Sequence, residues 1–277
     1  MAEIYGAHFE YAGVQSRRYS LFIANVETER FSSVSGTIQS VTVFNKSSRK
    51  RYLIGNDYSD SPLTFEVDIL TDHQVTLDPL ARRAVEKWLF NGRKYEKFYI
   101  DMADDFAGET FEYKDGAYKR LFLNCRFVNP TRLEYNGGVV GYKATLEADS
   151  DMWTQDLTTK TFSLNHEEAN SNSMINISID TDLKEYTYPK VTITTGSIGG
   201  DVIISNYTDD STRSTRFNQL SANTSVILNG ETNYISGQNF EKFYKQNFPR
   251  LLDGINNVYI TGNVKTIKFE FNNRRFW

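Results

Sequence analysis

Helical periodicity occurs once in this chain of 277 residues. Between Asp78 and Gly92 the residues Leu80, Ala81, Ala84, Val85, Trp88 and Leu89 recur at three- and four-residue spacing, while Arg82, Arg83, Glu86 and Lys87 fall elsewhere. That is the pattern of a helix with one apolar stripe. Its ends are marked as well. Asp78 suits the N-cap, Pro79 the first helical position, where its missing N–H costs nothing, and Gly92 a left-handed residue after the last turn. With no second helix to receive it, the stripe must lie against a sheet, which the rest of the chain has to supply.

Residue usage agrees with that demand. There are 17 Tyr and 19 Phe against 5 Pro and 4 Met, and aromatic and β-branched residues suit a half-buried pleated surface. From Leu63 to Leu70, Leu63, Phe65, Val67 and Ile69 alternate with Thr64, Glu66 and Asp68, so one face meets a core and the other meets water. Tyr19–Val26 and Ile38–Phe44, separated by the polar stretch Ser32–Gly36, read as strands, as do Lys97–Asp101, Tyr118–Phe127 and Val139–Ala148, with Gly137–Gly138 as a turn. Apolar periodicity lapses across Trp153–Lys160, which places a domain boundary near Gln155.

Beyond it, short runs recur at Met174–Ile179, Lys190–Thr194, Asp201–Asn206, Ser225–Leu228, Asn257–Thr261 and Lys265–Phe271, punctuated by glycine and asparagine; Asn239–Gln246 reads as a loop. The expected fold is mainly β. Residues 1–155 form an N-terminal β-sandwich or barrel-like domain with one packed helix, and residues 156–277 a C-terminal jelly-roll-like β-sandwich.

Hydrophobic residues at 39% and charged residues at 24% describe a chain that can bury a core. No apolar run approaches the roughly 18 residues of a membrane span, and the opening MAEIYGAHFEYAG has neither the basic nor the apolar segment of a secretory signal, so no membrane insertion is expected. Cys125 is the single cysteine, which excludes an internal disulfide and a cysteine-based zinc site. A net charge of −4, with the acidic excess before Leu157, gives no field to concentrate DNA.

Groups able to do chemistry are scattered. His8, His73 and His166 lie far apart without metal-ligand spacing. Cys125 sits in the apolar run LFLNCRFV, where a thiol is a small core residue. Asp104–Asp105, Asp149 with Asp151, and Asp209–Asp210 are the closest acidic clusters, each in a polar loop of the kind that holds solvated turn residues. Lys46, Arg49, Lys50 and Arg51 form a basic cluster that reads as a hydrated hairpin tip. Tyr186, Tyr188, Tyr207 and Tyr234 could make a sugar platform or serve as packing residues. The expectation is a protein that is not an enzyme, with no catalytic, cofactor-binding or metal-ligating residue.

The order of these features resembles the distal tail protein family of long-tailed, non-contractile bacteriophages and the prophages derived from them. In the first half the similar residues are Ala84–Asn91 (AVEKWLFN), the following KYEKFYID, Tyr118–Pro130 and Gly137–Trp153. In the second half they are Tyr188–Thr194, Asp201–Thr208 and Phe248–Thr261, with an FP-x-L-x-x-G-x-N stretch at Phe248–Asn256, and the final KTIKFEF. Family members often carry a Cys-Asp-Ser-Pro-like run before the boundary, where this chain has Ala148-Asp149-Ser150-Asp151.

The resemblance implies a virion protein of the tail tip, assembled in the host cytoplasm. Its N-terminal domains would form a hexameric ring joining the tail tube protein to the tail-associated hub protein of the baseplate. The C-terminal domains would project outward to support receptor-binding proteins or touch the host, and DNA would only pass through the lumen. The alternatives are a carbohydrate-binding adhesin that engages cell-surface saccharide through residues 156–277 and, ranked last, a two-carboxylate glycoside hydrolase.

Overall fold

Alternating side chains can bury one face of a strand only where other strands extend the sheet, and the computed structural model has many. It describes residues 8–27, 38–45, 50–58, 63–72, 75–100, 112–114, 117–237, 241–244 and 247–275. A first unit runs to Thr154 and a second covers Gln155–Arg275.

In the first unit β1 (Phe9–Tyr11) and β2 (Val14–Gln15) lead through a 3-10 turn at Ser16–Tyr19 into β3 (Leu21–Glu27). Next, β4 (Ile38–Asn45) and β5 (Lys50–Tyr58) pair with each other, and β6 (Thr64–Thr71) precedes α1 (Pro79–Phe90). Then come β7 (Glu96–Ile100), the pair β8 (Glu112–Lys114) and β9 (Ala117–Lys119), β10 (Leu121–Tyr135), β11 (Gly138–Ala148) and β12 (Trp153–Gln155). The main sheet has the order β2-β1-β7-β10-β11-β6-β3. Phe65, Val67, Ile69 and Thr71 are the buried residues of β6, as its alternation requires.

The helix begins where its cap predicts: the Asp78 carboxylate accepts from the N–H groups of Leu80 and Ala81, and Pro79 holds the first position. Its stripe meets the sheet through Val85 and Leu89, both fully buried, and burying each contributes about 1.5–3 kcal/mol. Trp88 stacks on Phe9 at 5.8 Å and donates its indole N–H to the Tyr11 carbonyl at 2.9 Å. Two end signals resolve differently. Leu80 is 82% exposed, and the buried residues of the helix are Val85 and Leu89, so the first turn adds nothing to the buried stripe. Gly92 does not take the left-handed conformation; the helix ends at Asn91 with φ −99°.

Strands β10 and β11 are joined by Asn136 and Gly137, both left-handed at φ 49° and 79°. That is the two-residue turn whose twist matches a hairpin, so the turn lies one residue before the Gly137–Gly138 pair, and Gly138 opens β11 opposite Tyr135.

The second unit contains β13 (Thr158–Ser163), β14 (Asn172–Ile179), β15 (Lys190–Thr195), β16 (Gly200–Asn206), β17 (Ser214–Leu220), β18 (Ser225–Asn229), β19 (Tyr234–Ile235), β20 (Phe243–Tyr244), β21 (Gly254–Thr261), β22 (Val264–Phe271) and β23 (Arg274–Arg275). Two five-stranded sheets, β13-β22-β15-β18-β19 and β14-β21-β16-β17-β20, share one core. Ile177, Phe217 and Ile260 of one sheet and Ile193, Leu228 and Ile267 of the other all belong to it. Successive strands β13 to β16 alternate between the sheets, so neither sheet forms from a contiguous stretch of chain.

The lapse at Trp153–Lys160 is itself strand: β12 and the start of β13 occupy it, built from threonines that leave little apolar signal. Within Asn239–Gln246, Phe243–Tyr244 pairs with β17, while residues 239, 240, 245 and 246 lie outside the described residues, as does Ser32–Gly36.

Candidate interaction surfaces

Among the described residues the chemical groups are held apart by local partners. His8 donates from Nδ1 to the Leu21 carbonyl at 3.0 Å. His166 is buried, with Nδ1 2.8 Å from the Gly262 carbonyl and Nε2 2.7 Å from the Ser173 hydroxyl. Because a carbonyl only accepts, Nδ1 carries a proton and donates, and the Ser173 hydroxyl, which can donate or accept, is the partner of Nε2. His73 lies outside the described residues. Cys125 is fully buried in the first core, where desolvation, with Asp149 second, pushes its thiol well above its usual range and disfavours the reactive thiolate. Among the described residues no group of three or more His, Cys, Asp or Glu is placed to hold a metal ion.

The acidic clusters serve their own loops. Asp149 accepts from the Asn124 carboxamide at 3.1 Å. Asp210 accepts from the N–H and hydroxyl of Thr212, whereas neighbouring Asp209 takes both arms of Arg250 at 2.7 and 3.1 Å. Asp104–Asp105 lies outside the described residues, as do Lys46 and Arg49; Lys50 and Arg51 open β5 opposite Asn45 and Phe44.

Between Phe248 and Asn256 the chain builds a pinned loop. Gly254 is left-handed at φ 89°, which turns the chain into β21 and lets Asn256 point inward. Asn256 is fully buried: its carboxamide oxygen accepts from Leu252 N–H at 2.9 Å and from Asn206 Nδ2 at 2.8 Å, and its nitrogen donates to the Leu252 carbonyl at 2.7 Å. Leu251 exchanges backbone hydrogen bonds with Thr187, and Asp253 accepts from Thr181 N–H. Arg250 lies 3.7 Å from the Tyr186 ring centroid while it grips Asp209. The loop is therefore an architectural clamp, with its polar groups turned toward the protein's own backbone.

The four tyrosines do not make one platform. Tyr186 carries Arg250, Tyr188 packs close to Gly230, and Tyr234 lies on β19 at the edge of the other sheet. Tyr207 is exposed and meets Tyr259, with ring centroids 4.4 Å apart. Tyr259 was legible only through alternation: in β21 Val258 and Ile260 are buried, so Tyr259 faces outward.

The outer face of the first unit's sheet is polar. Arg126 pairs with Glu147, Arg120 with Glu10, and Thr145 donates to Glu66. Lys97 and Arg120 each lie 4.0 Å from the rings of Phe122 and Tyr99, respectively, so two large aromatics outside the core are capped by cations.

Several carboxyls are held below their ordinary range. The Arg132 side chain, with Tyr142 adding less, lowers Glu86; the Gln219 N–H, then Arg216, lowers Asp201; and the Thr212 hydroxyl and N–H lower Asp210. Burial acts to raise Glu270, but Lys268 and Lys190 outweigh it. A depressed carboxyl binds fewer protons folded than unfolded, so its contribution is complete above the unfolded value and fades as pH falls through the folded one. The melting temperature should thus hold from neutrality to about pH 5 and decline below it; a rise on acidification would contradict these pairings.

The family model described as a phage tail protein N-terminal domain matches residues 4–150, and one described as a phage tail C-terminal domain matches residues 158–271. The chain belongs to this phage tail protein family. No curated protein matches it. Among solved structures, the Dit protein of phage SPP1 is similar over 97% of this chain and 98% of its own, with a TM-score of 0.62 at 10% identity. A chain in the phage P2 baseplate, in its activated conformation with Ca, aligns over 99% of this chain and 98% of its own at TM-score 0.45 and 10% identity. This phage tail protein therefore has the distal tail protein fold across both of its units.

Proposed function

We propose that this phage tail protein is a distal tail protein, a non-catalytic structural component of the tail tip. Residues 1–155 close into a hexameric ring that joins the tail tube to the baseplate hub. Residues 156–277, as a jelly-roll domain, project outward and support host-adhesion proteins. One observation carries this reading: likeness to SPP1 Dit, described as a paradigm of the hub adsorption apparatus in phages infecting Gram-positive hosts, runs through both units over 97% of the chain.

Two physical features support it. A closed ring of identical subunits joins two different patches on each copy, and the first unit's outer sheet face offers cations and carboxylates in neighbouring rows. A lumen that passes DNA must not retain it, and the acidic excess before Leu157 avoids the salt-dependent affinity that neutralised phosphates provide.

Negative-stain imaging and multi-angle light scattering of the purified chain test the proposal together. Six-fold rings with a central hole are expected. Monomer alone across micromolar concentrations and low salt would overturn the ring.

A further inference from the structure

The outward face of β14, β21 and β16 lies outside residues 1–155, to which the proposed ring is assigned. Its rows follow from the register: Met174 lies opposite Tyr259 and Asn176 opposite Asn257. Tyr207 continues the line of β16, its N–H bonded to the Asn257 carbonyl at 2.9 Å. The rings of Tyr207 and Tyr259 meet at 54° and remain open to solvent, at 54% and 37% exposure. Ile255 and Met174, at 64% and 51%, extend the apolar surface. The carboxamides of Asn176 and Asn257 have no hydrogen-bond partner among the described residues. No charged side chain stands in these rows; Asp201 and Arg216, farther along the sheet, pair with each other.

Three properties narrow the occupant. The absence of cations rules against a phosphate-bearing or carboxylated polymer, which is recognised by Arg and Lys. A protein interface places apolar groups at its centre and polar ones at its rim, whereas here two unpaired amides lie beside the aromatic pair, within the patch. Aromatic faces next to a few convergent amides match a molecule with one face of C–H bonds and a periphery of hydroxyls. We infer that this face is a binding site for a neutral saccharide, with Tyr207 and Tyr259 as the stacking surface and Asn176 and Asn257 as the groups that bond its hydroxyls. The inference uses none of the ring-forming residues, so it stands or falls separately from the ring.

Saturation-transfer NMR on the full chain, with glucose, galactose and N-acetylglucosamine as probes at millimolar concentration, tests it. Transfer to at least one probe is expected. Tyr207→Ala should weaken that binding at least about tenfold, equivalent to about 1.4 kcal/mol, while Tyr207→Phe keeps it. Should Tyr207→Ala lower the melting temperature, Asn176→Ala, which removes an exposed carboxamide, reads the same site through the same loss. Absence of transfer to every probe would overturn the inference, as would transfer unchanged in both alanine variants. Binding restricted to sialic acid or a sugar phosphate would overturn it too. A change in sedimentation of Tyr207→Ala without any loss of sugar binding would instead assign the face to a second copy.

Discussion

Replacing Trp88 by alanine is expected to cost the first unit about 2–4 kcal/mol, somewhat below the usual range for a fully buried aromatic because Trp88 is half-buried against the core. Trp88 is where the helix is fastened. It stacks on Phe9 with the rings 7° from parallel, meets Tyr11 and Tyr19 at 6.5 and 5.5 Å, and gives its N–H to the Tyr11 carbonyl. Truncation removes its contacts with three rings and leaves the Tyr11 carbonyl without its donor. Leu80→Ala, on the same helix, removes a side chain that is 82% exposed and should change stability by less than about 0.5 kcal/mol. Urea unfolding followed by fluorescence and circular dichroism would separate the two variants. Equal losses would mean that the helix packs through a face other than the one carrying Val85 and Leu89.

That contrast shows how far the sequence pattern reaches. Spacing alone selects Leu80 and Trp88 for the same stripe, because periodicity reports direction around the helix axis and is blind to where the sheet ends. Cap chemistry is local, so Asp78 and Pro79 were legible, and so was the alternation of β6, where Phe65, Val67 and Ile69 are apolar and buried. β13 and β17 were not. Thr158–Ser163 carries one large apolar residue, Phe162, and Ser214–Leu220 buries Thr215, Phe217 and Leu220 across a register shift near its end. Strands of this kind are fixed by the neighbours they pair with, and neighbours distant in sequence leave no trace in a local window. The same limit hid the saccharide face. Tyr207 was visible as a tyrosine, but its contact with Tyr259 depends on pairing between β16 and β21, and the adjacency of Asn176 and Asn257 on pairing between β14 and β21.

The Phe248–Asn256 loop gives the second large effect, with an internal control that packing alone cannot mimic. Asn256→Leu preserves volume but deprives the part-buried Leu252 N–H and Leu252 carbonyl of a partner around a fully buried side chain, and leaves the Asn206 amide with the Arg250 carbonyl alone. Each buried group left unsatisfied costs about 1–3 kcal/mol, so a loss of about 3 kcal/mol is expected, roughly 10 °C in the melting of the second unit. Asn256→Asp keeps the acceptor oxygen but sets a carboxylate against the Leu252 carbonyl, 2.7 Å from the replaced nitrogen. Burial and that carbonyl both favour the protonated acid, which can donate where the amide did, so the folded-state pKa of the new acid lies above its unfolded value. The stability deficit of Asn256→Asp relative to the parent should therefore be smallest in acid and grow as pH rises through the folded-state pKa. The parent, with its depressed carboxyls, shows the opposite slope. Thermal melts of both proteins from acid to neutrality would reveal the converging curves, and a deficit independent of pH would mean that Asn256 holds the loop by shape and not through its amide.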